Sequence, residues 1–378
     1  MKRKWIAVFG GIALSLVLTF GSESPAMAQG TSEETQETEI PSTSVHFFAV
    51  GDALISETLN KGALQMGGGK TYDYHYIYSA MEDTIASYDL AAINQETILI
   101  DNYAQHSGYP AFGTPNTEGD AIADAGFDIV TQATNHSYDK GMAGINQDIT
   151  FWRTKHPEIT MLGLHSSRED ASDIDYIESN GITFALFNYA YGLNGMRLPA
   201  GKDYAVDLLS DTDKLLADVR TAEKTADFTI VFCHMGDEYS YKPNASQKTL
   251  ALQLAEAGAD LIVGAHPHCI EPCEVVKAEN GNIALVYYSL GNFVSSQLNA
   301  TTQLEGAADV TITKVGDLTA ITDYDFIPLV NDWQGSTPHP VFLKDYTEEE
   351  AAKHHFARTG KKFTAAGLWS TWHQVTGR

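Results

Sequence analysis

His46-Phe47-Phe48-Ala49-Val50-Gly51-Asp52 is the stretch that decides the fold. A short β-prone run stops at a glycine followed by a carboxylate. Such a run, bounded by a turn signal, reads as a buried strand. The same design returns along the chain. Residues 90–94 form an apolar strand that ends at Gln95-Glu96. Residues 127–131 form another, ending near Asn135-His136. The run 228–233 leads into His234, and 261–263 leads into Gly264-Ala265-His266-Pro267-His268. Between these runs the spacing predicts helices over 77–88, 117–125, 141–155, 211–224 and 246–257. Further strands are expected over 159–162 and, after a turn at Asn180-Gly181, over 181–191. Alternating strands and helices imply an α/β architecture. The β-rich pieces 274–278, 283–288, 307–314 and 318–326 predict a second, mixed or antiparallel sheet. No Pro/Gly/Ser linker interrupts 46–328, so that span reads as one domain.

The ends differ from this body. Lys2-Arg3-Lys4, the apolar run 5–20 and Ala26-Met27-Ala28 form an export signal over 1–28. An uncleaved signal would act as a single-span anchor. No cysteine lies near the cleavage site, so a lipid anchor is excluded. The expected location is secreted, or on the extracellular face of the membrane. Residues 29–45 are polar and acidic and read as a disordered tether. Residues 329–378 contain a helix-start pattern at Thr347-Glu348-Glu349-Glu350 and read as a peripheral C-terminal appendage.

The chain has 378 residues, with 24 Lys+Arg against 49 Asp+Glu, a net charge of −25 and three cysteines. The 43% apolar fraction excludes a disordered chain. The charge excludes nucleic acid as a partner, because that binding begins with neutralised phosphates. Three cysteines exclude a disulfide framework. Cys269 and Cys273 lie too far apart in extended chain to pair, and Cys233 reads as a small buried hydrophobe.

One regularity carries the function. Asp52, Glu96, Asn135-His136, His234 and His266/His268 each follow an apolar strand. Ligands of α/β sheets bind beyond the carboxyl ends of strands. Carboxylate, amide and imidazole donors together suit a divalent Zn, Mn or Fe. Each residue has a plainer reading: Asp52 and Asn135-His136 as turns, Glu96 as a cap, His234 as a core histidine. His266-Pro267-His268 is harder to read that way, because proline fixes the backbone between two imidazoles. Their joint placement favours a metal site. The remaining histidines, His46, His75, His106, His156, His165, His339, His354, His355 and His373, lack this placement and read as surface or packing.

Gly51-Asp52, Asn94-Gln95-Glu96, Thr134 to Asp139, His234 to Tyr239, Gly264 to His268 and Tyr288 to Phe293 occur in an order that resembles the CapA family, the capsule or poly-γ-glutamate synthesis proteins. The resemblance covers 46–297. That family is similar to the calcineurin-like metallophosphoesterases. The resemblance implies a four-layer α/β/β/α sandwich with Asp52, Glu96, Asn135, His234, His266 and His268 as metal positions. It implies that His136 protonates or steadies the leaving group. Two positions depart from the phosphoesterase pattern. Leu54 replaces the histidine of Asp-x-His, and Glu96 replaces the bridging aspartate. One ion, held by Asn135, His234 and His266, survives this change better than two.

Three functions follow. The first is a metal-dependent hydrolase or transferase acting on a phosphoester, or on an amide of a capsule or cell-wall polymer or its precursor. There Glu238 is a second acid/base group, Gln247 and Asn292 are substrate contacts, and Tyr239 and Phe293 are walls. The second is a non-catalytic accessory protein beside membrane-bound polymer synthesis proteins. The third is a polymer-binding module with a relic site.

Overall fold

The computed structural model of the protein describes residues 41–378. The expected export signal, and the tether up to residue 40, lie outside the described residues. Among the described residues no helix is long and apolar enough to cross a membrane.

Two sheets form the centre. The larger has eight strands. Its path runs His339–Phe342, Leu318–Asp332, Leu304–Val315, Ser42–Ala53, Leu90–Gln95, Ile129–Thr131, Thr160–Leu162. The short strand Asn292–Val294 pairs with the end of Ser42–Ala53. The smaller sheet runs Cys273–Lys277, Ile283–Tyr287, Leu261–Ala265, Phe228–His234, Ile182–Ala190, Asp175–Ser179. Its outer hairpin turns at Asn180-Gly181. Both residues have positive φ, 49° and 73°, as a tight hairpin turn of this hand requires.

Both faces of each sheet are covered. Val45, Phe47 and Ala49 point between the sheets and join Phe232, Val263 and Leu285. Their neighbours Phe48 and Val50 point the other way, onto Leu59, Ile77, Ile122 and Trp152. That alternation is the period of a strand buried on both sides. Val231, Cys233 and Ile262 face Leu215, Val219, Leu250 and Leu254. Those leucines and the valine lie on the helices Thr212–Thr225 and Ala245–Ala257. The result is the expected four-layer α/β/β/α sandwich. Full burial of a side chain such as Phe47 contributes about 2–3 kcal/mol.

Several expectations change. The helix over 77–88 is two short helices, His75–Tyr78 and Glu82–Ile85. A further helix, Glu57–Met66, precedes them. The tether boundary at 45 is corrected, because the first strand begins at Ser42 and pairs with Leu304–Val315. Val45 is fully buried, which ties this start to the core.

The appendage boundary after 328 is corrected too. The strand Leu318–Asp332 crosses it, and His339–Phe342 adds the sheet's outer strand. The segment beyond is not peripheral. Leu343, Phe356, Leu368 and Trp372 belong to the same apolar cluster as the residues between the sheets. Trp372 packs on Phe326 at 4.8 Å, and Phe326 on Tyr287 at 5.3 Å. His354 is buried in this region. One ring nitrogen lies 3.1 Å from Asn331 O, the other accepts from Phe356 N at 3.2 Å, and the ring stacks on Phe363 at 3.9 Å.

Candidate metal centre

The strand ends deliver the polar residues to one edge of the two sheets. Asp52 lies near the end of the first strand, with Asn94 in register on one side and Asn292 on the other. Glu96 follows Leu90–Gln95 directly. His234 is the last residue of its strand and lies between Ala190 and Ala265. Two small neighbours leave space for its ring. Glycines allow the close approaches: a Cβ on Gly51 would lie 1.8 Å from Gly291 O, and one on Gly264 would lie 1.9 Å from Tyr288 O. His266 and His268 adopt positive φ, 97° and 58°. Non-glycine residues hold such values only when the surroundings impose them. One imposed contact spans the sheets, since His266 N donates to Asp52 Oδ2 at 3.1 Å.

Six of the expected residues converge. One atom each from Glu96, His234 and His266 lie within 4.8 Å of one another, and so do atoms of Asp52, Glu96 and His268. Asn135 Oδ1 is 2.8 Å from His234 Nε2. His268 Nδ1 is 3.2 Å from Asp52 Oδ2 and 3.7 Å from Glu96 Oε2. All six are nearly inaccessible to solvent. Yet both Glu96 oxygens and His266 Nδ1 are buried without a hydrogen-bond partner. An unpartnered buried acceptor costs about 1–3 kcal/mol. Three such atoms in one cluster, from imidazole and carboxylate, fit a divalent cation held by nitrogen and oxygen.

Among the described residues the electrostatics of the cluster are set by carboxylates and imidazoles acting on one another. Burial pushes Glu96 up to about 8, with Asp52 adding to the rise and His268 opposing it. Burial alone would lower His268, but Glu96 and Asp52 outweigh it and hold it at about 9. Burial, with the neighbouring imidazoles, depresses His266 to about 3 and His234 well below its ordinary value. His234 and His266 are therefore neutral at pH 7, the form that ligates metal.

His136 stands at the rim. Its Nδ1 lies 2.8 Å from Asp139 Oδ2, and its Nε2 lies 4.0 Å from Glu96 Oε1. Asp139 also accepts from Phe112 N at 2.7 Å. Burial would lower His136, but Asp139 and Glu96 together raise it. A carboxylate on Nδ1 fixes the ring and leaves Nε2 facing the centre. Outside lies an open cleft of about 860 Å³, lined in part by Leu54, Tyr109, Phe112, His136, Glu238 and Tyr239.

Three expected contacts are corrected. Gln247 faces the helix start, not the cleft. It completes a reciprocal cap with Asn244 and donates to Glu271 Oε2 at 2.5 Å. Asn292 is buried and accepts from His268 Nδ1 at 3.0 Å, so it orients a ligand and does not meet substrate. Phe293 packs on Tyr78 and Phe127 behind the sheet. Cys269 donates its thiol to Ser240 O at 3.0 Å, away from the ligand groups.

Other residues matter that strand-end logic does not single out. Asn94 Nδ2 donates to Asp52 Oδ1 at 2.5 Å and lies 3.2 Å from His234 Nδ1. Asn194 Oδ1 accepts from Asn135 Nδ2 at 3.1 Å, and the Tyr191 ring lies 4.5 Å from that of His266. Asn94 directly precedes Gln95-Glu96, and that adjacency is the available signal. Tyr191 and Asn194 carry none.

The family model for the bacterial capsule synthesis protein PGA_cap matches residues 46–297. The chain is 29% identical over 291 residues to the PGA biosynthesis protein CapA of Bacillus subtilis (strain 168), covering 77% of this chain and 72% of that protein. It is 32% identical over 225 residues to the capsule biosynthesis protein CapA of Bacillus anthracis, covering 58% and 51%. Among solved structures, the calcineurin-like phosphoesterase YfkN from Bacillus subtilis aligns with a TM-score of 0.44 at 12% identity, over 76% of this chain and 91% of that one. A phosphatase from Mycoplasma pneumoniae aligns with a TM-score of 0.45 at 12% identity, over 76% and 94%.

Proposed function

Because the chain belongs to the bacterial capsule synthesis family PGA_cap, we propose that it serves capsule or poly-γ-glutamate synthesis or export outside the cell, through a metal-dependent hydrolase site. One observation carries the metal: both Glu96 oxygens and His266 Nδ1 are buried, unpartnered and clustered with His234. Glu96, Asn135, His234 and His266 would hold one ion, of Zn, Mn or Fe. Asp52, Glu96 and His268 would hold a second. A bound divalent cation supplies Lewis-acid charge and lowers the pKa of water.

The chain's own residues do the rest. Asp139 accepts the Nδ1 proton of His136, so a proton on Nε2 of the imidazolium would face the centre from the rim. Asn292 holds His268, and Asn94 holds Asp52. Tyr109, Phe112 and Tyr239 wall the cleft. The substrate class is a phosphoester, or an amide of a capsule or cell-wall polymer or its precursor. A polymer chain with free carboxylates is repelled by a surface at −25. Contact is therefore local, at the centre. Leu54 favours a second reading, an accessory role beside membrane-bound synthesis proteins without turnover.

The test has two stages. Elemental analysis of purified protein should find Zn, Mn or Fe in wild type and little in His234→Ala or His266→Ala. Negligible metal in all three sinks the metal reading. Wild type and His136→Ala are then offered phosphoesters and γ-glutamyl peptides. Metal without turnover by wild type leaves the accessory reading in possession.

A further inference from the structure

At the mouth of the cleft lies a third group that the strand-end ligands do not explain. An oxygen of Glu238 and one ring nitrogen each of His266 and His268 lie within 4.8 Å of one another. Main-chain bonds to the histidine turn fix this placement. Met235 N donates to Ala265 O at 3.0 Å, and Tyr239 N donates to Pro267 O at 2.8 Å. Residues 235–239 are thus tied to the histidine turn at both ends. Gly236 has φ 136°, and a Cβ there would lie 2.8 Å from Pro267 Cγ. Asp237 is drawn to Asn244, whose Nδ2 donates to it at 3.1 Å. Glu238 remains exposed on the cleft side.

Two further facts bear on its role. Glu238 and Leu54 line the same cleft, and no Lys or Arg lines it among the described residues. His266 Nδ1 is buried and unpartnered.

We propose that Glu238 is a metal ligand on the solvent side of the centre, beside His266 and His268. The inference rests on the metal-site reading above and adds a residue to it. It also gives Glu238 a different role from an acid/base group. An oxygen donor beside two imidazoles suits the same borderline divalent ions. Glu238 comes from an exposed loop, so its carboxylate lies between the two imidazoles and the cleft.

The test titrates Zn²⁺ against the full chain with a competing chelator. The variants are Glu238→Gln and, as a control, Glu57→Gln, another exposed carboxylate lining the cleft. Thermal melting first establishes that both variants fold. Glu238→Gln should weaken Zn²⁺ at least about 10-fold, the scale of a lost partner at a metal site. Glu57→Gln should weaken it less than about 3-fold, because it changes only a screened charge. Equal affinity in wild type and Glu238→Gln overturns the inference alone. An equal loss in Glu57→Gln also overturns it, because the effect is then general charge. Wild type that holds no metal overturns the centre and the ligand together.

Discussion

His354 and His266 are both buried, and burial drives both toward the neutral form, to about 4 and about 3. Their surroundings differ. His354 has one nitrogen at Asn331 O and the other at Phe356 N. His266 keeps Nδ1 without a partner, beside a Glu96 with two unpartnered oxygens. In the C-terminal region the desolvation of the imidazole is offset by hydrogen bonds. In the crevice it is not. A neutral imidazole with both nitrogens bonded braces the fold, whereas one with an idle lone pair is prepared for a ligand. Burial alone does not separate the two. The partner of each nitrogen does.

The sharpest break of this contrast is to remove one histidine from each setting. His234→Ala should abolish stoichiometric metal, a loss of more than about 100-fold in affinity, beyond the 10–100-fold typical of an outer partner. Elemental analysis after dialysis reads it directly. His354→Ala should keep the metal but cost about 2–4 kcal/mol of stability, since it strands Asn331 O and Phe356 N and removes the ring on Phe363. A urea midpoint unchanged from wild type would refute that brace.

The pH dependence of metal binding sharpens the contrast further. In the metal-free site burial raises Glu96, and Glu96 with Asp52 raises His268. Both are protonated at pH 6, so a cation must displace those protons. Affinity should therefore climb from pH 6 to 9, by a factor approaching ten per unit for each proton released, and flatten above. Calorimetry in buffers of different ionisation enthalpy counts the protons. A flat profile would contradict the assignment.

His354 predicts the acid limb of stability. Its folded pKa is depressed below the unfolded value of 6.5. The unfolded chain therefore takes the proton first. Its contribution is complete above 6.5 and is lost as pH falls toward 4. Denaturant midpoints across that window should fall more in wild type than in His354→Ala.

The smallest effect distinguishes two amides that looked alike in sequence. Asn292→Ala should lower metal affinity about 10-fold, through His268. Gln247→Ala should leave metal unchanged and cost about 1 kcal/mol of helix capping. The reverse pattern in titration and melting would restore Gln247 to the site.

These amides also show what a sequence reveals. Asp52, Glu96, His234 and the His266/His268 pair were legible because each ends an apolar run, and strands ending on one side share an edge. The four layers were legible for the same reason. Gln247 belongs to Asn244-x-x-Gln247, the pattern of a helix cap, and that local signal decides its place. Asn194 was not legible, because its link to Asn135 comes from a loop far away in the chain. The C-terminal packing escaped because Leu343, Phe356, Phe363 and Trp372 follow no single period. Their burial is decided by the groove they fill.

The Asp52–His266 bond joins residues 214 apart in sequence. It carries a consequence for the order of folding. Closing so long a loop costs about 5 kcal/mol of chain entropy in the simplest treatment. Local helices and hairpins form without it, but the ligand set cannot. The centre is therefore absent from any collapsed intermediate in which the two sheets have not yet met. A cation that binds only the finished edge favours the folded chain by mass action. Metal uptake during refolding would then mark the moment the two halves close, later than the appearance of secondary structure.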